Sequence, residues 1–324
     1  MKKKITFIAP CYNGESYIKR FLDSILEQTY DSIELIVVND GSVDSTEEIL
    51  VSYEGKFKSK GIEYIHIRQE NQGIGASINN ALKLVTGDYL TWFGTDDYAL
   101  PTYAEELTAF LDNHPEFAVV RDDGFVVDED NTSIIKGRMA DHNLDKHNPW
   151  LFENAILQKN FHFGYSVIRM EIFDKVNPGR EIYPSRQGQN WQILLPIFYQ
   201  YKSAFYEKPL YCVIDQKESV SRISQKSYEK VIWIENECER ILVDTINKMD
   251  ILEKEKYLKM VRVKYIRSRM KDAINFGIRE DAMAEYARLK EEEAVLLEDK
   301  RRYYRAKFPI IDKTAKAFKR LLKR

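Results

Sequence analysis

Short apolar runs alternate with segments of helical periodicity over the first 120 residues of the chain. The run Ile33–Val38 is almost continuously apolar, which is typical of a parallel strand covered on both faces. Other short apolar runs predict further strands at Ile5–Ala9, Glu63–Ile67, Tyr89–Phe93 and Phe117–Val120. Helical spacing predicts helices around Ile18–Leu26, after Asp44, at Ile74–Val85 and at about Thr102–Asn113. This order predicts an α/β sheet with right-handed crossovers.

The pattern changes along the rest of the chain. Residues 122–160 are polar and rich in Asp and Asn, which predicts a mobile or substrate-facing region. Apolar strand and helix patterns resume at Phe161–Met170, Trp191–Tyr201 and Ala204–Val213. Beyond about Ser224, Pro and Gly nearly vanish, and helices are predicted through Arg302. We therefore predict two domains, residues 1–223 and a mostly α-helical extension over residues 224–324.

Charge and cysteine content exclude several classes of protein. The 49 basic and 51 acidic residues give a net charge of -2, so we expect no nucleic-acid partner. Three distant cysteines, without C-x-x-C spacing, support neither a disulfide framework nor a zinc site. The apolar run in MKKKITFIAP spans only about five residues before Pro10, so a first strand explains it better than a signal peptide. With no apolar segment of membrane-spanning length, we expect a cytoplasmic protein.

Unusual polar residues follow the predicted strands. They form the turns Pro10–Gly14, Asn39–Ser42, Glu70–Gly75 and Gly94–Asp97. In open parallel sheets ligands bind beyond the carboxyl ends of the strands, so these turns predict a ligand site. The first turn has a single glycine and no P-loop pattern, which disfavours dinucleotide and P-loop chemistry. The adjacent acids Asp96 and Asp97 instead suggest a hard divalent cation that would neutralise a diphosphate.

Five segments together resemble the inverting family 2 glycosyltransferases with the GT-A fold, in order and in spacing. They are APCYNGESYI, VVNDGSVDST, ENQGIGASINNAL, TGDYLTWFGTDDYALP and FGYSVIRMEIF, within residues 4–215. The resemblance implies a Rossmann-like mixed sheet flanked by helices. It also implies sugar transfer, with inversion, from a nucleoside diphosphate sugar, most simply a UDP-sugar, with Mn²⁺ or Mg²⁺. The implied acceptor is a carbohydrate or a lipid-linked glycan in bacterial surface-polysaccharide synthesis.

The resemblance also implies a donor-binding role for individual residues. Pro10 and Tyr12 would line the nucleobase pocket, with the Tyr12 ring against the base. Asp40 would accept a hydrogen bond from the base or the ribose. Asn71 and Gly73 would border the sugar-nucleotide.

Three further positions complete the donor site that the resemblance implies. Asn79 would brace the helix beneath the donor. Asp96 would face the ribose or the donor sugar, and Asp97 would ligate the metal ion against the diphosphate. Neutralising the departing diphosphate is the dominant chemical requirement of such a transfer.

The position of the general base departs from the family pattern. It falls on Gln189 or Asn190 in RQGQNWQILLP, and an amide cannot accept a proton near neutral pH. Either Asp123 or Glu181 serves as base, or the amides orient a substrate in an atypical mechanism. A third hypothesis is a silent nucleotide-sugar-binding scaffold of a polysaccharide-assembly complex. We interpret His162, in an apolar strand, as a core residue rather than a catalyst.

The C-terminal end is strongly basic. Residues 301–324 carry ten Lys or Arg and one acid, Asp312, around an apolar helical face. This pattern predicts that residues 305–324 lie on the anionic inner face of the cell membrane, and a solvated tail or a helix docked on the protein is the alternative. The helical extension could also mediate a homodimer. A sugar nucleotidyltransferase is disfavoured, because no Gly-rich, Arg- or Lys-containing loop follows the first strand.

Overall fold

The computed structural model describes residues 2–142, 146–159, 163–217 and 227–308. The chain divides into two compact units, Met1–Lys217 and Glu218–Arg324. The domain boundary predicted between residues 223 and 224 lies outside the described residues.

The described residues of the first unit form a nine-stranded mixed sheet. Its strands are β1 (Ile5–Cys11), β2 (Ile33–Asn39), β3 (Glu63–Arg68), β4 (Tyr89–Trp92), β5 (Tyr98–Ala99), β6 (Phe117–Asp128), β7 (Ile135–Arg138), β8 (Ser166–Arg169) and β9 (Lys202–Asp215). The order is β3-β2-β1-β4-β8-β6-β9-β5, with β7 beside β6. Strands β1 to β4 are parallel where they pair, whereas β8 runs antiparallel to β4 and β6. The predicted mixed α/β sheet is confirmed.

The helices of the first unit flank the mixed sheet. They are α1 (Ile18–Leu26), α2 (Thr46–Lys60), α3 (Ile74–Leu82), α4 (Tyr103–Asn113), α5 (Phe152–Leu157), α6 (Met170–Val176) and α7 (Gln189–Gln200). An apolar core of the first unit includes Phe7, Phe93 and Tyr103, whose ring centroids lie 5.2 to 5.9 Å apart. Burial of these rings fixes β1 and β4 against α4, and so holds the strand ends in place.

Strand β6 is longer than its sequence predicts. It runs from Phe117 to Asp128 and carries Arg121 and Asp123 in its buried middle. The Arg121 guanidinium donates to Ser203 Oγ at 3.1 Å, and Asp123 forms an ion pair with Arg138 of β7. Because distant partners satisfy these charges, the strand continues through polar sequence. The prediction that this strand ends at Val120 is therefore wrong, and residues 122–128 of the predicted mobile or substrate-facing region belong to the strand.

The described part of the second unit is helical, as predicted. Its helices are α8 (Tyr228–Lys248), α9 (Lys254–Phe276), α10 (Arg279–Glu291) and α11 (Leu297–Lys307). Met270, Ala273 and Leu289 are fully buried at the centre of this unit. Among the described residues, no helix combines the length and the apolar character that a membrane span requires. Most of the predicted membrane-binding segment, residues 309–324, lies outside the described residues.

Candidate functional site

A cavity of about 420 Å³ opens at the sheet edge where β1 and β4 end. Its walls come from these strand ends, from the segment before β8, from β9 and from the first residues of α7. The lining residues are Pro10, Ile74, Ile78, Trp92, Phe93, Gly94, Asp97, Met139, Phe163, Gly164, Tyr165, Gln189, Asn190, Tyr211 and Val213. The fold thus brings together four residues that the sequence singles out: Pro10, Asp97, Gln189 and Asn190.

The carboxylate of Asp40 organises the loop before α3. Its Oδ1 accepts hydrogen bonds at 2.8 Å from the Gln69 side chain and from the Gln72 backbone N–H. Its Oδ2 accepts one from the Gly73 N–H, also at 2.8 Å. These three hydrogen bonds hold the Asp40 carboxylate in one orientation. Asp40 therefore positions Gly73, and its contact with a base or ribose stays a prediction.

The loops that meet beside Asp40 leave little room for side chains. Gly41 has φ +74°, and a Cβ there would lie 2.8 Å from the Asn71 backbone nitrogen. Gly73 has φ +91°, and a Cβ there would lie 2.8 Å from Cγ of Arg186. Both positions therefore require glycine. Tyr12, in contrast, is an exposed residue, with 47% of its surface accessible.

Asp97 is held in the wall of the cavity by the protein itself. Its Oδ2 accepts a hydrogen bond from the Tyr165 hydroxyl at 2.6 Å, and its Oδ1 accepts one from the Ile214 N–H at 3.0 Å. The same hydroxyl accepts a hydrogen bond from the Gly94 N–H at 3.2 Å. Burial, and then the neighbouring Asp96 charge, raise the pKa of the Asp97 carboxyl to about 7.

This raised pKa predicts a pH-dependent stability that Asp97→Asn removes. Between about pH 4 and 7 the folded protein keeps a proton that an ordinary Asp, with a pKa of about 3.9, releases on unfolding. The free energy of unfolding therefore falls as pH rises through this window, by up to about 1.4 kcal/mol per pH unit from this group. Urea unfolding of both proteins from pH 4.5 to 7.5 tests this. Parallel profiles of wild type and variant would contradict it.

Asp96 is the more accessible of the two acids. It is half-buried, and Gln216 donates to its Oδ2 at 3.1 Å. A Cβ at Gly94 would lie 2.7 Å from Asp96 Oδ1, so a larger residue at this position would displace the Asp96 carboxylate. Within the described residues, no group of three or more His, Cys, Asp or Glu could hold a metal ion. One or two carboxylates suffice for Mg²⁺ or Mn²⁺ where phosphate oxygens and water complete the coordination shell, so the residues fit such an ion.

Gln189 and Asn190 are the first two residues of α7, and both line the cavity. Gly188, at φ +75°, turns the chain into this helix. The Asn190 Oδ1 accepts a hydrogen bond from the indole N–H of Trp92 at 2.7 Å. Sequence reasoning missed Trp92 and Tyr165, because their partners lie far away along the chain.

The two acids considered as alternative bases lie elsewhere. Asp123 is 1% exposed, and its Oδ2 pairs with Arg138 Nε at 2.6 Å while its Oδ1 accepts from the Gly124 and Ala140 N–H groups. Glu181 is exposed, and neither acid lines the cavity. This geometry removes the support for either acid as the base. His162 lies outside the described residues.

Helix α3 anchors the segment that leads into α7. The side chain of Asn79 exchanges two 2.8 Å hydrogen bonds with the backbone of Ile182. The Gly75 N–H donates to the Ser185 carbonyl at 2.8 Å. A Cβ at Gly75 would lie 2.7 Å from the Ser185 backbone and 2.8 Å from the Tyr183 oxygen. Asn79 thus braces the approach to α7, a role more specific than the predicted support of a helix.

A second cavity of about 380 Å³ lies at the opposite edge of the sheet, where β1 and β4 begin. Arg180 on its wall pairs with both oxygens of Asp174, at 2.7 and 2.8 Å. Arg169 donates to the Leu111 and Phe117 carbonyls and so closes the end of α4. Because its arginines already stabilise the fold, we place the functional site at the first cavity.

A model of the family described as Glycosyl transferase family 2 matches residues 6–176, more than half of the 324 residues. The chain is 42% identical over 104 residues to glycosyltransferase GlyA of Streptococcus pneumoniae, which covers 32% of this chain and 14% of GlyA. It is 26% identical over 242 residues to the putative glycosyltransferase EpsE of Bacillus subtilis, over 74% of this chain and 83% of EpsE. The chain thus spans only a small part of the length of GlyA.

Two solved structures share the fold. The structure of Staphylococcus aureus TarS 1-349 in complex with UDP-GlcNAc has a TM-score of 0.57 at 18% identity, over 94% of this chain and 90% of that one. The mannosyltransferase PcManGT from Pyrobaculum calidifontis, in complex with GDP-Man and Mn²⁺, has a TM-score of 0.58 at 15% identity, over 98% and 81%. These likenesses confirm the predicted GT-A-type fold.

Proposed function

Because the chain belongs to glycosyl transferase family 2, we propose that it transfers a sugar from a nucleoside diphosphate sugar to an acceptor held in the 420 Å³ cavity. One observation carries this proposal. The Asp40-ordered loop, the paired acids Asp96 and Asp97, and the cavity all lie at the carboxyl edge of the parallel strands. That edge is where open α/β sheets bind nucleotides.

We propose a UDP-sugar as the donor. The exposed Tyr12 ring offers a stacking surface to a base, and Pro10 lines the neighbouring cavity wall. Asp40 can accept a further hydrogen bond from the base or ribose through a remaining lone pair. The UDP-GlcNAc complex of TarS supports UDP, and the GDP-Man complex of PcManGT makes GDP the alternative.

We propose Asp96, in place of the sequence-predicted Asp97, as the main carboxylate for Mn²⁺ or Mg²⁺. Asp97 already accepts hydrogen bonds at both oxygens, whereas the half-buried Asp96 carboxylate accepts a hydrogen bond from the described residues only at Oδ2. A bound divalent ion would neutralise the charge of the departing diphosphate. Asp97 would support this site indirectly. Its hydrogen bonds with the Tyr165 hydroxyl and the Ile214 N–H hold the turn Gly94–Asp97 in place.

The proposed reaction is a single displacement with inversion. The acceptor oxygen forms a bond to the anomeric carbon of the sugar, while the bond from that carbon to the diphosphate oxygen breaks on the opposite side. The electron pair of the broken bond stays with the diphosphate, and the proton of the acceptor hydroxyl passes to an oxygen of that departing diphosphate, directly or through water. We propose a carbohydrate or a lipid-linked glycan of a surface polysaccharide as the acceptor. The apolar wall that Met139, Phe163 and Val213 contribute suits a sugar face or a lipid portion.

A second candidate function is a silent nucleotide-sugar-binding scaffold. The amides of Gln189 and Asn190 favour it, because neither can take up the acceptor proton. Binding of a donor without turnover would distinguish the scaffold from the enzyme.

Metal-dependent release of nucleoside diphosphate tests the proposed enzyme. The chain is incubated with UDP-GlcNAc, UDP-glucose, UDP-galactose or GDP-mannose, in Mn²⁺ or in EDTA, with carbohydrate acceptors. We expect release from a UDP-sugar in Mn²⁺ and a loss of at least about 100-fold in EDTA, because the leaving group then carries its full charge. UDP binding without any release would favour the scaffold. Binding of no nucleotide would refute both candidates.

A further inference from the structure

The hydrogen bond between Trp92 and Asn190 fixes which end of the Asn190 amide is available to a substrate. An indole N–H can only donate, so the atom at 2.7 Å from Trp92 Nε1 must be the Asn190 oxygen. Trp92 is 6% exposed at the end of β4, so its ring is held by packing. The amide nitrogen is therefore the polar atom that Asn190 offers to the cavity it lines.

The surroundings of Asn190 reinforce this polarity. Asn190 is the second residue of the twelve-residue helix α7, so the positive end of the helix dipole lies beside it. Asp97 is the one carboxylate among the described residues that line the cavity, and Tyr165 and Ile214 engage both of its oxygens. The described wall around Asn190 therefore favours an oxygen atom that accepts a hydrogen bond.

We infer that Asn190, oriented by Trp92, donates a hydrogen bond from its amide nitrogen to the attacking acceptor oxygen. This inference rests on the proposed function and deepens it. At this position the chain orients the nucleophile and does not remove its proton. The same Trp92 contact means that one substitution can change residue 190 from a hydrogen-bond donor into a general base. In Asn190→Asp the indole would hold one carboxylate oxygen and leave the other facing the acceptor, where it can act as a base.

Water serves as the acceptor in the test, so no natural acceptor has to be known. The water oxygen bonds to the anomeric carbon, the bond to the diphosphate breaks with its electron pair on UDP, and the water proton passes to the new carboxylate. A general base typically contributes 10²- to 10⁴-fold. We expect Asn190→Asp to release UDP from UDP-GlcNAc, UDP-glucose or UDP-galactose at least about tenfold faster than wild type. Its rate should fall at acid pH as the new carboxylate is protonated.

Two variants separate this role from a structural one. Asn190→Leu keeps the size but loses the donor, and we expect slower UDP release at unchanged affinity for UDP. Trp92→Phe removes the indole N–H together with part of the buried ring, and unchanged UDP affinity shows that the site tolerates the smaller ring. Combined with Asn190→Asp it should lose most of the gain, because the carboxylate is no longer oriented. Asn113→Asp, at the exposed end of α4, adds the same charge away from the cavity and is the matched control.

The outcomes are distinct for each claim. A wild-type chain that binds neither UDP nor GDP in Mn²⁺ refutes the proposed function itself. If UDP binds but Asn190→Asp gains no release from any of the three donors, the inference is overturned. An equal gain in Asn113→Asp, or a gain that survives Trp92→Phe undiminished, overturns it as well. Unchanged UDP affinity in each variant shows that the site has folded.

Discussion

Asp96→Asn is expected to lower Mn²⁺-dependent UDP release by about 10²- to 10³-fold, the size of effect seen when one group that stabilises developing charge is removed. Asp96 follows the carboxyl end of β4, and its Oδ1 accepts no hydrogen bond from the described residues, so the substitution removes a charge from the place where we propose that the diphosphate departs. Steady-state rates at saturating donor, over a series of Mn²⁺ concentrations, measure the loss. The Mn²⁺ concentration for half-maximal rate should rise as well.

Two further variants test this prediction: a control at Asp31, and Asp97→Asn, which tests whether Asp97 is the metal ligand instead. Asp31→Asn removes one carboxylate just before β2, at the opposite edge of the sheet, and should leave the Mn²⁺ dependence unchanged. If Asp96→Asn keeps its rate while Asp97→Asn loses it, the metal role returns to Asp97, where the sequence placed it. Measuring both variants therefore decides between the two acids.

Gly75→Ala is expected to destabilise the first unit and to disable the site together. The new Cβ would meet the backbone of Ser185 at 2.7 Å, and backbone atoms cannot move aside as a flexible side chain can. We expect a loss of about 1–3 kcal/mol in the free energy of unfolding, as for other overpacked positions. Displacement of the segment before α7 should also reduce UDP release, because Gln189 and Asn190 follow it directly.

Gly55→Ala is the matched control for this substitution. Gly55 lies inside α2, and a Cβ there would have no heavy atom within 4 Å. The control should gain about 0.5–1 kcal/mol from improved helix propensity and keep its UDP release. Urea unfolding and UDP release are measured on both variants. Equal stabilities of Gly75→Ala and Gly55→Ala would show that α3 does not anchor the segment.

Local patterns predicted those elements whose burial follows directly from the spacing of their own apolar residues. The apolar run Ile33–Val38 became β2 because both of its faces are covered, and the helical spacing from Ile18 became α1 on the same core. The continuation of β6 beyond Val120 escaped prediction, because Asp123 pairs with Arg138 from another strand. A polar run in sequence does not show whether distant partners will pair with it.

The location of the candidate site could also be predicted from local patterns, whereas the contacts that orient its residues could not. Polar turns after successive strands predicted that ligand-binding residues meet at one edge, since parallel strands end together. The contacts that orient those residues were not predictable, because Trp92 and Asn190 are 98 positions apart and Asn79 and Ile182 are 103 apart. Only the folded chain shows that these pairs connect β4 and α3 to the start of α7.

Titration calorimetry of the full chain with UDP, in Mn²⁺ and in EDTA, tests the central claim most directly. The claim is that the loops at the carboxyl edge of the sheet bind a nucleoside diphosphate together with a divalent ion. We expect saturable binding in Mn²⁺ that weakens at least tenfold in EDTA and in Asp96→Asn. Absence of binding to UDP and GDP in Mn²⁺, or binding that neither EDTA nor Asp96→Asn weakens, would contradict it.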